Sequence, residues 1–430
     1  MNNPLKYKYV KIISLLGMSV ALLSSTLHVS ADSPSASKER VNSGGGYAVS
    51  KQLDNVGYST TIYDATNGLP TSDANCVFAS SDGYIWIGGY SGIIRYDGSV
   101  FERIENVPGL TSGRAIFEDS KNRIWVGTND NGVVMLTKTE SKRYTYQEGL
   151  PSSSVRCFAE DKNGTVYIGT TNGISYVSDD GNLRNIDDER LQNNIIVRMV
   201  SDADGVVYGN TKDGAMFSIK DAAVSEFIDY EELGIEKIST VFCKSDESGK
   251  IYIGTESNHV YYGNFGDKAN MLKRISVDPV NFTYWITYAC NRIWITSENC
   301  TGYIDQYNAF HELKNLPMKN SIDMMTCDYQ GNLWFASSRQ GVMKIVTNNF
   351  QDVFEIAELE DTVVNATCLY DNSLYIGTDN GLIELDRKYQ AVNSELTKYL
   401  DGVRIRCLMV DKDSNLWIST YTNDLGLVCY

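Results

Sequence analysis

The sequence predicts an all-β fold, a β-propeller built from four-stranded blades, and two observations support this. The composition suits strands joined by tight turns, because the 430 residues include 28 Tyr and 35 Gly but 7 Pro. In addition, an aliphatic–aromatic–apolar triplet followed by a small residue recurs nine times, with 39 to 45 residues between successive copies. A period of this length is typical of one four-stranded propeller blade.

The repeat is aligned on the central position of each triplet. These positions are Trp86, Trp125, Tyr167, Val207, Tyr252, Trp294, Trp334, Tyr375 and Trp417. The clearest copy, residues 149–187, predicts strands over 155–160, 165–169, 174–177 and 183–186. Gly-rich turns about every ten residues exclude a helical solenoid of similar period. Because the aromatic recurs in nearly every copy, we interpret it as a residue that packs blade on blade.

The N-terminus has the pattern of an export signal. Lys6, Lys8 and Lys11 precede an apolar core over 12–27, and Val29-Ser30-Ala31 places small residues before a cleavage point. We predict a signal peptide over 1–31, with an uncleaved anchor as the alternative, and a flexible linker over 32–51 that is rich in Ser and Gly. The mature protein is therefore expected to be extracytoplasmic.

Charge and composition exclude several classes of function. A formal net charge of -16 repels phosphate backbones, which disfavours nucleic-acid binding. Nine cysteines cannot all pair, and most lie in strand-like segments as small buried hydrophobes. Whether Cys290 pairs with Cys300, across one predicted hairpin, stays open. With three histidines and no CxxC motif, we predict no metal site and no cofactor.

The repeats contain a recognisable motif. Loops such as Gly68-Leu69-Pro70-Thr71 and Gly149-Leu150-Pro151-Ser152 precede a strand, and turns such as Gly377-Thr378-Asp379-Asn380-Gly381 follow the aromatic triplet. Over about residues 58–430 the chain resembles the two-component regulator propeller repeat family. Two copies are degenerate: the one at Val207 lacks the aromatic, and the one at Trp294 lacks the glycine.

The resemblance implies an extracytoplasmic ligand-binding sensor region of a bacterial hybrid histidine kinase or diguanylate cyclase. In that family two seven-bladed propellers precede a membrane helix and a cytoplasmic output domain. Neither a membrane helix nor an output motif follows the repeats of this sequence, and the ninth repeat stops in its third predicted strand. We therefore expect a C-terminally truncated chain that meets the membrane through a missing C-terminal helix.

Ring closure suggests how the repeats divide. The segment Tyr58 to Tyr63 is a predicted strand that precedes the first complete repeat, and it fits as the outer strand of the blade containing Trp334. We predict a first seven-bladed propeller over 52–347 and an incomplete second propeller, of two blades, over 348–430. Residues 350–356 would form the corresponding first strand of the second ring. A single nine-bladed ring is the alternative.

The predicted ligand site lies at the mouth of the central channel, where the loop before each innermost strand meets the loop between the second and third strands. Arg114, Arg156 and Arg406 each lie eleven residues before the aromatic of their repeat, and Arg198 lies close to that position. We interpret them as guanidinium groups that bind a carboxylate, a sulfate or sugar hydroxyls. The alternative is that they brace loops or pair with acids such as Glu118 or Glu160. Further candidates, in the loops between second and third strands, are Tyr90, Asn129 and Arg339.

The leading hypothesis is a sensor that is not itself an enzyme. It would bind a small molecule or a glycan and signal to a missing output domain. A homodimer is a further partner that this hypothesis allows. A secreted carbohydrate-active enzyme and a protein-interaction scaffold are the alternatives. The enzyme would need an asymmetric cluster on the channel face, for example two carboxylates or a group of Tyr, His and Arg.

Overall fold

The computed structural model describes residues 58–347, 353–357, 359–422 and 425–430. The predicted signal peptide (1–31) and linker (32–51) lie outside the described residues. Residues 58–347 form seven four-stranded antiparallel sheets, blades 1 to 7, so the predicted all-β propeller is confirmed. Within the described ranges, no helix combines the length and the apolar composition that crossing a lipid bilayer requires.

The first strand of the chain, β1 (Tyr58–Tyr63), belongs to blade 7 and is described with it. Blade 1 contains β2 (Cys76–Ala79), β3 (Ile85–Gly89), β4 (Gly92–Tyr96) and β5 (Phe101–Arg103). Blade 2 contains β6 (Gly113–Glu118), β7 (Ile124–Thr128), β8 (Val133–Leu136) and β9 (Ser141–Tyr144). Blade 3 contains β10 (Val155–Glu160), β11 (Val166–Thr170), β12 (Gly173–Val177) and β13 (Leu183–Asn185). Blade 4 contains β14 (Ile196–Ser201), β15 (Val207–Thr211), β16 (Met216–Lys220) and β17 (Ala223–Ile228).

Blade 5 contains β18 (Ile238–Phe242), β19 (Lys250–Thr255), β20 (His259–Asn264) and β21 (Lys273–Ser276). Blade 6 contains β22 (Trp285–Ala289), β23 (Arg292–Thr296), β24 (Thr301–Ile304) and β25 (Phe310–Glu312). Blade 7 contains β26 (Ile322–Cys327), β27 (Leu333–Ser337), β28 (Gly341–Thr347) and, as its outer strand, β1. Between residues 58 and 347 the helical segments are a 3-10 turn (Tyr146–Glu148) and the single-turn helix α1 (Tyr230–Leu233).

The ring closes after seven blades. Strand β1 pairs antiparallel with β28, from Tyr58 opposite Thr347 to Tyr63 opposite Val342, as the sequence predicts. The innermost strands of successive blades contact one another all around, including β26 of blade 7 with β2 of blade 1. Trp334 of blade 7 packs in one hydrophobic cluster with Leu69 and with core residues of blade 1. The nine-bladed alternative is therefore wrong.

An aspartate in the first hairpin turn anchors the aromatic of several repeats. The carboxylate of Asp119 accepts the indole N–H of Trp125 at 2.7 Å, and the carboxylate of Asp161 accepts the hydroxyl of Tyr167 at 3.1 Å. In blade 4 the equivalent pair is Asp202 and Tyr208, at 3.2 Å. The alignment of this repeat on Val207 was therefore wrong by one residue, and the aromatic is present after all.

The strands after residue 348 form two three-stranded sheets within the described ranges. Sheet 8 contains β29 (Val364–Tyr370), β30 (Ser373–Thr378) and β31 (Leu382–Leu385), and sheet 9 contains β32 (Ile405–Val410), β33 (Leu416–Thr420) and β34 (Leu427–Cys429). Two short helices accompany them, α2 (Val353–Ile356) and α3 (Glu395–Tyr399). The strand predicted over 350–356 is wrong where the structure describes it, because Val353–Ile356 is helical; residues 350–352 lie outside the described residues. The domain boundaries of the second propeller stay predictions.

The nine cysteines are all free thiols. Cys290 does not pair with Cys300; its sulfur lies 3.7 Å from that of Cys327, on the neighbouring blade 7. Cys300 is buried, 6% exposed. The cysteine close to Cys290 is therefore Cys327, which the packing of blade 7 against blade 6 brings near it.

Candidate functional site

Five of the seven innermost strands share an irregularity near their first residue. Strand β6 shifts register between Gly113 and Ala115, and β10 shifts register between Val155 and Cys157. Each shift leaves one residue out of the ladder, and a β-bulge of this kind redirects a side chain. In blades 2 to 5 and 7 these positions are Arg114, Arg156, Val197, Ser239 and Asp323. Asn75, directly before β2, is the equivalent residue of blade 1, and we call the six positions together the mouth.

Two of the predicted arginines occupy the mouth side by side. Arg114 donates from Nη1 to the carbonyl oxygen of Asn75, on blade 1, at 3.4 Å. Arg156 donates from Nη1 to Oδ1 of Asn129, on blade 2, at 2.9 Å. Burial lowers the pKa of the half-buried Arg156 guanidinium, and the positive charge of Arg114 lowers it further. Desolvated guanidinium groups that are close together favour binding of an anion.

The two arginines do not pair with the acids that the alternative interpretation suggested. The carboxylate of Glu118 binds the backbone N–H and hydroxyl of Ser81, each at 2.6 Å. In the same way, Glu160 binds the backbone N–H and hydroxyl of Ser120, each at 2.7 Å. These glutamates join neighbouring blades through backbone and hydroxyl groups. The two guanidinium groups are therefore not neutralised by the acids of their own strands.

Acidic and amide groups complete the mouth, and sequence reasoning missed them. Asp323 accepts the backbone N–H of Ser338 at 3.1 Å; burial raises the pKa of its carboxyl, although the charge of Arg114 lowers it. Asn75 is 7% exposed. Within the described residues, Oδ1 of Asp73 and Nδ2 of Asn75 are buried and have no hydrogen-bond partner. A buried acceptor of Asp73 and a buried donor of Asn75 thus lack partners close to Arg114.

The other predicted residues lie at different depths. Tyr90 is 73% exposed at the rim, and its backbone N–H is donated to Oδ2 of Asp73. Asn129 orients Arg156 and also donates from Nδ2 to Oγ of Ser112 at 2.8 Å. Arg339 is exposed, and its backbone N–H is donated to Oγ of Ser337 at 3.2 Å. The structure therefore brings Arg114, Arg156 and Asn129 together, with Tyr90 at the edge.

Arg198 is not part of the mouth, which corrects its assignment. Strand β14 leaves Val197 out of the ladder, whereas Arg198 pairs with Asn210 one position deeper. The error follows from the register of this repeat: counted from Tyr208, the residue eleven positions earlier is Val197. Arg198 is 5% exposed and lies 3.5 Å from the centre of the Trp285 ring.

Arg406 holds the corresponding position in sheet 9. Strand β32 shifts register between Ile405 and Cys407, which leaves Arg406 out of the ladder. Its guanidinium lies 4.8 Å from the centre of the Tyr421 ring. Asn365 is left out of the ladder in the same way in β29 of sheet 8. The bulge is therefore a property of the repeat and extends beyond the seven-bladed ring.

A second polar cluster lies in blade 5, where the loop before β18 meets β20 and β21. Glu236 accepts the hydroxyl of Tyr261 at 2.6 Å and lies 3.3 Å from Nδ1 of His259. Arg274 lies 3.1 Å from the same His259 nitrogen. This is an asymmetric group of Tyr, His and Arg of the kind that the enzyme hypothesis requires. Over the described ranges, no group of three His, Cys, Asp or Glu side chains is arranged to hold a metal ion.

Comparisons with known proteins agree with this architecture. The model of the family "Two component regulator propeller" matches residues 108–130, 149–172 and 399–422. Three segments of the chain are thus similar to the two-component regulator propeller repeat. The matched segments include the loops before the innermost strands that hold Arg114, Arg156 and Arg406. A search of curated proteins finds no match.

Several solved structures share the propeller fold. The extracellular domain assigned to the hybrid two-component system BT3049 of B. thetaiotaomicron aligns with a TM-score of 0.66 and 18% identity, over 87% of this chain and 53% of that one. Virginiamycin B lyase from Staphylococcus aureus aligns with a TM-score of 0.54 and 16% identity, over 67% of this chain and 99% of the lyase. The WD40 propeller of Doa1 aligns with a TM-score of 0.53 and 15% identity, over 67% and 97%. The chain thus spans about half the length of the two-component relative.

Proposed function

We propose that this regulator-propeller chain is the extracytoplasmic sensor region of a bacterial signal-transduction receptor, and that it binds an acidic sugar at the channel mouth. One observation carries the proposal: Arg114 and Arg156 lie together, half-buried, with no carboxylate of their own strands bound to them. Two desolvated guanidinium groups suit a carboxylate or a sulfate.

The other groups of the mouth suit the rest of a sugar. Nδ2 of Asn75 is a donor and Oδ1 of Asp73 is an acceptor; both atoms are buried and lack a partner, so a sugar hydroxyl that reached them would complete their hydrogen bonds. Tyr90 exposes 73% of its surface at the rim, where an aromatic ring can cover the apolar face of a sugar. Ligand binding would then pass a signal to an output domain carried by another part of the receptor.

Isothermal titration calorimetry with D-glucuronate and with neutral D-glucose tests the proposal. We expect glucuronate to bind and glucose to bind at least about tenfold more weakly, because loss of a charged hydrogen bond costs about 1.5–3 kcal/mol. Arg156→Met should weaken glucuronate binding by about 10–100-fold for the same reason. The matched control is Arg184→Met. Arg184 is exposed on the outer strand of blade 3 and forms an ion pair with Asp180.

The proposal also predicts a ranking across a panel of hexuronates and sulfated hexoses, all of which should bind more tightly than their neutral parents. Failure of the whole panel to bind would contradict the proposed ligand class. Equal affinity of wild type and Arg156→Met would contradict the proposed site.

A secreted enzyme is the second candidate function, favoured by the cluster of Glu236, His259, Arg274 and Tyr261. A histidine that contacts a carboxylate has the arrangement of a general base. Incubation with a glycan panel would decide: product that forms with wild type and not with His259→Ala supports the enzyme, whereas saturable binding without product supports the sensor.

A further inference from the structure

Three residues at one depth of the channel form an unusual group. Arg198 pairs with Asn210, Thr240 with Gly254 and Trp285 with Thr296, so the three occupy the same position on the innermost strands of blades 4, 5 and 6. The Arg198 guanidinium crosses blade 5 and stacks on Trp285, with Cζ 3.5 Å from the ring centre. This contact joins two blades that are not neighbours, and Arg198 lies one residue further along its strand than Val197 of the mouth.

The charge of Arg198 lacks a counter-charge. The side chain is 5% exposed, and no carboxylate in the described part of the chain forms an ion pair with it. Burial lowers the pKa of Arg198 to about 9, and the titratable groups that face it are the thiols of Cys157 and Cys243. Arg198 is therefore charged at neutral pH. Stacking on an aromatic ring compensates part of the cost of burying a cation, but an unpaired buried charge stays unfavourable.

Hydrogen-bond donors around the guanidinium are also unused. Arg198 has five N–H groups, and the bond resolved for them is a long one to Oγ1 of Thr240, at 3.4 Å. Within the described residues, Nε1 of Trp285 and the hydroxyl of Thr283 are buried without a partner. Guanidinium and indole nitrogens only donate, so their missing partner must be an acceptor. Oδ1 of Asn210 is an acceptor that also lacks a partner, but this single oxygen cannot satisfy all of the unused donors.

We propose that Arg198, Trp285 and Thr283 bind a small inorganic anion, of the chloride class, where the innermost strands of blades 4, 5 and 6 meet. A halide accepts several N–H and O–H donors at once and supplies the negative charge that the surrounding residues do not. The site is distinct from the mouth, because Arg114 and Arg156 lie at the bulged positions and Arg198 does not. The proposal does not depend on the proposed function.

Thermal unfolding of the full chain in sodium chloride and in sodium gluconate, at equal ionic strength, tests the proposal. A ligand that binds the folded state alone raises Tm, by about 2–4 °C for each tenfold increase above its dissociation constant. We expect this rise in chloride and not in gluconate. Arg198→Met should abolish the difference between the two salts, whereas the exposed control Arg184→Met should retain it.

Two further measurements keep the test decisive if Arg198→Met does not fold. Trp285→Phe keeps the stacked ring but removes the Nε1 donor, so the chloride midpoint should rise by about tenfold. In crystals grown with bromide, an anomalous peak should lie within hydrogen-bond distance of Arg198. Equal Tm in both salts, a chloride effect that persists in Arg198→Met, or the absence of a bromide peak at Arg198 would each overturn the proposal and would leave water as the acceptor.

Discussion

Asp119 provides the sharpest stability prediction. The side chain is 3% exposed, and its Oδ2 accepts the indole N–H of Trp125 at 2.7 Å and Nε of Arg123 at 2.6 Å. Its Oδ1 accepts the backbone N–H of Lys121 at 3.0 Å and that of Arg123 at 2.9 Å. Replacement by Ala therefore opens the turn and leaves the indole N–H of a fully buried tryptophan without an acceptor.

The expected cost follows from these contacts. A buried unsatisfied donor costs about 1–3 kcal/mol, and hydrogen bonds to a charged group contribute about 1.5–3 kcal/mol. For Asp119→Ala we therefore expect a loss of about 3 kcal/mol in the free energy of unfolding, and a fall in Tm of about 6 °C for a ring of this size. Asp119→Asn should lower the free energy of unfolding nearly as much. Each carboxylate oxygen of Asp119 accepts two N–H groups, so the Nδ2 donor of asparagine would face two other donors.

Thermal unfolding followed by circular dichroism, together with urea titration, measures these changes. The matched control is Asp97→Ala, since Asp97 accepts the backbone N–H groups of Ser99 and Val100 in a turn that is fully exposed. This control should shift Tm by no more than about 1 °C. Equal shifts for the two alanine variants would refute the reasoning that the buried aromatic depends on its aspartate.

Three further predictions concern charge and thiols. Burial raises the pKa of Asp323, so acidification protonates this carboxylate before an ordinary aspartate and removes a competitor for the Arg114 guanidinium. Glucuronate affinity should therefore rise as the pH falls towards this raised pKa, and Asp323→Asn should bind more tightly at neutral pH and lose the dependence. The sulfurs of Cys290 and Cys327 lie 3.7 Å apart, so glutathione disulfide should oxidise the two thiols to a disulfide bond and itself be reduced to two molecules of glutathione. A peptide map in which both thiols remain reduced would contradict this. Burial raises the pKa of the Cys157 thiol to about 12, so only about 1 in 10⁴ protein molecules carries the Cys157 thiolate at pH 8. Iodoacetamide should therefore modify the exposed Cys407 but not Cys157 in the folded protein.

The ring architecture was predictable because it depends on local patterns. Triplet spacing and turn residues fixed the number of repeats, and the extra segment Tyr58–Tyr63 identified the closing strand. The register of blade 4 was not predicted correctly, because the triplet can be centred on Val207, as Val206-Val207-Tyr208, or on Tyr208, as Val207-Tyr208-Gly209. The turn aspartate resolves the ambiguity: Asp202 precedes Tyr208 by six residues, the same spacing as in the pair of Asp119 and Trp125.

The candidate site was predictable in part. The spacing of eleven residues identified Arg114 and Arg156, and the same count applied to Trp86 and Trp334 gives Asn75 and Asp323. Those two were missed because cations alone were considered. The stack of Arg198 on Trp285 could not be found this way, because it joins two blades that are remote in the sequence and depends on the width of the channel.

A crystal structure of the chain soaked with D-glucuronate tests the central claim, ligand binding at the mouth, most directly. The account predicts density for the sugar at the mouth, with its carboxylate within hydrogen-bond distance of Arg114 and Arg156 and a hydroxyl group within reach of Asn75. Density on the opposite face of the ring, or an empty mouth at a saturating concentration, would contradict it.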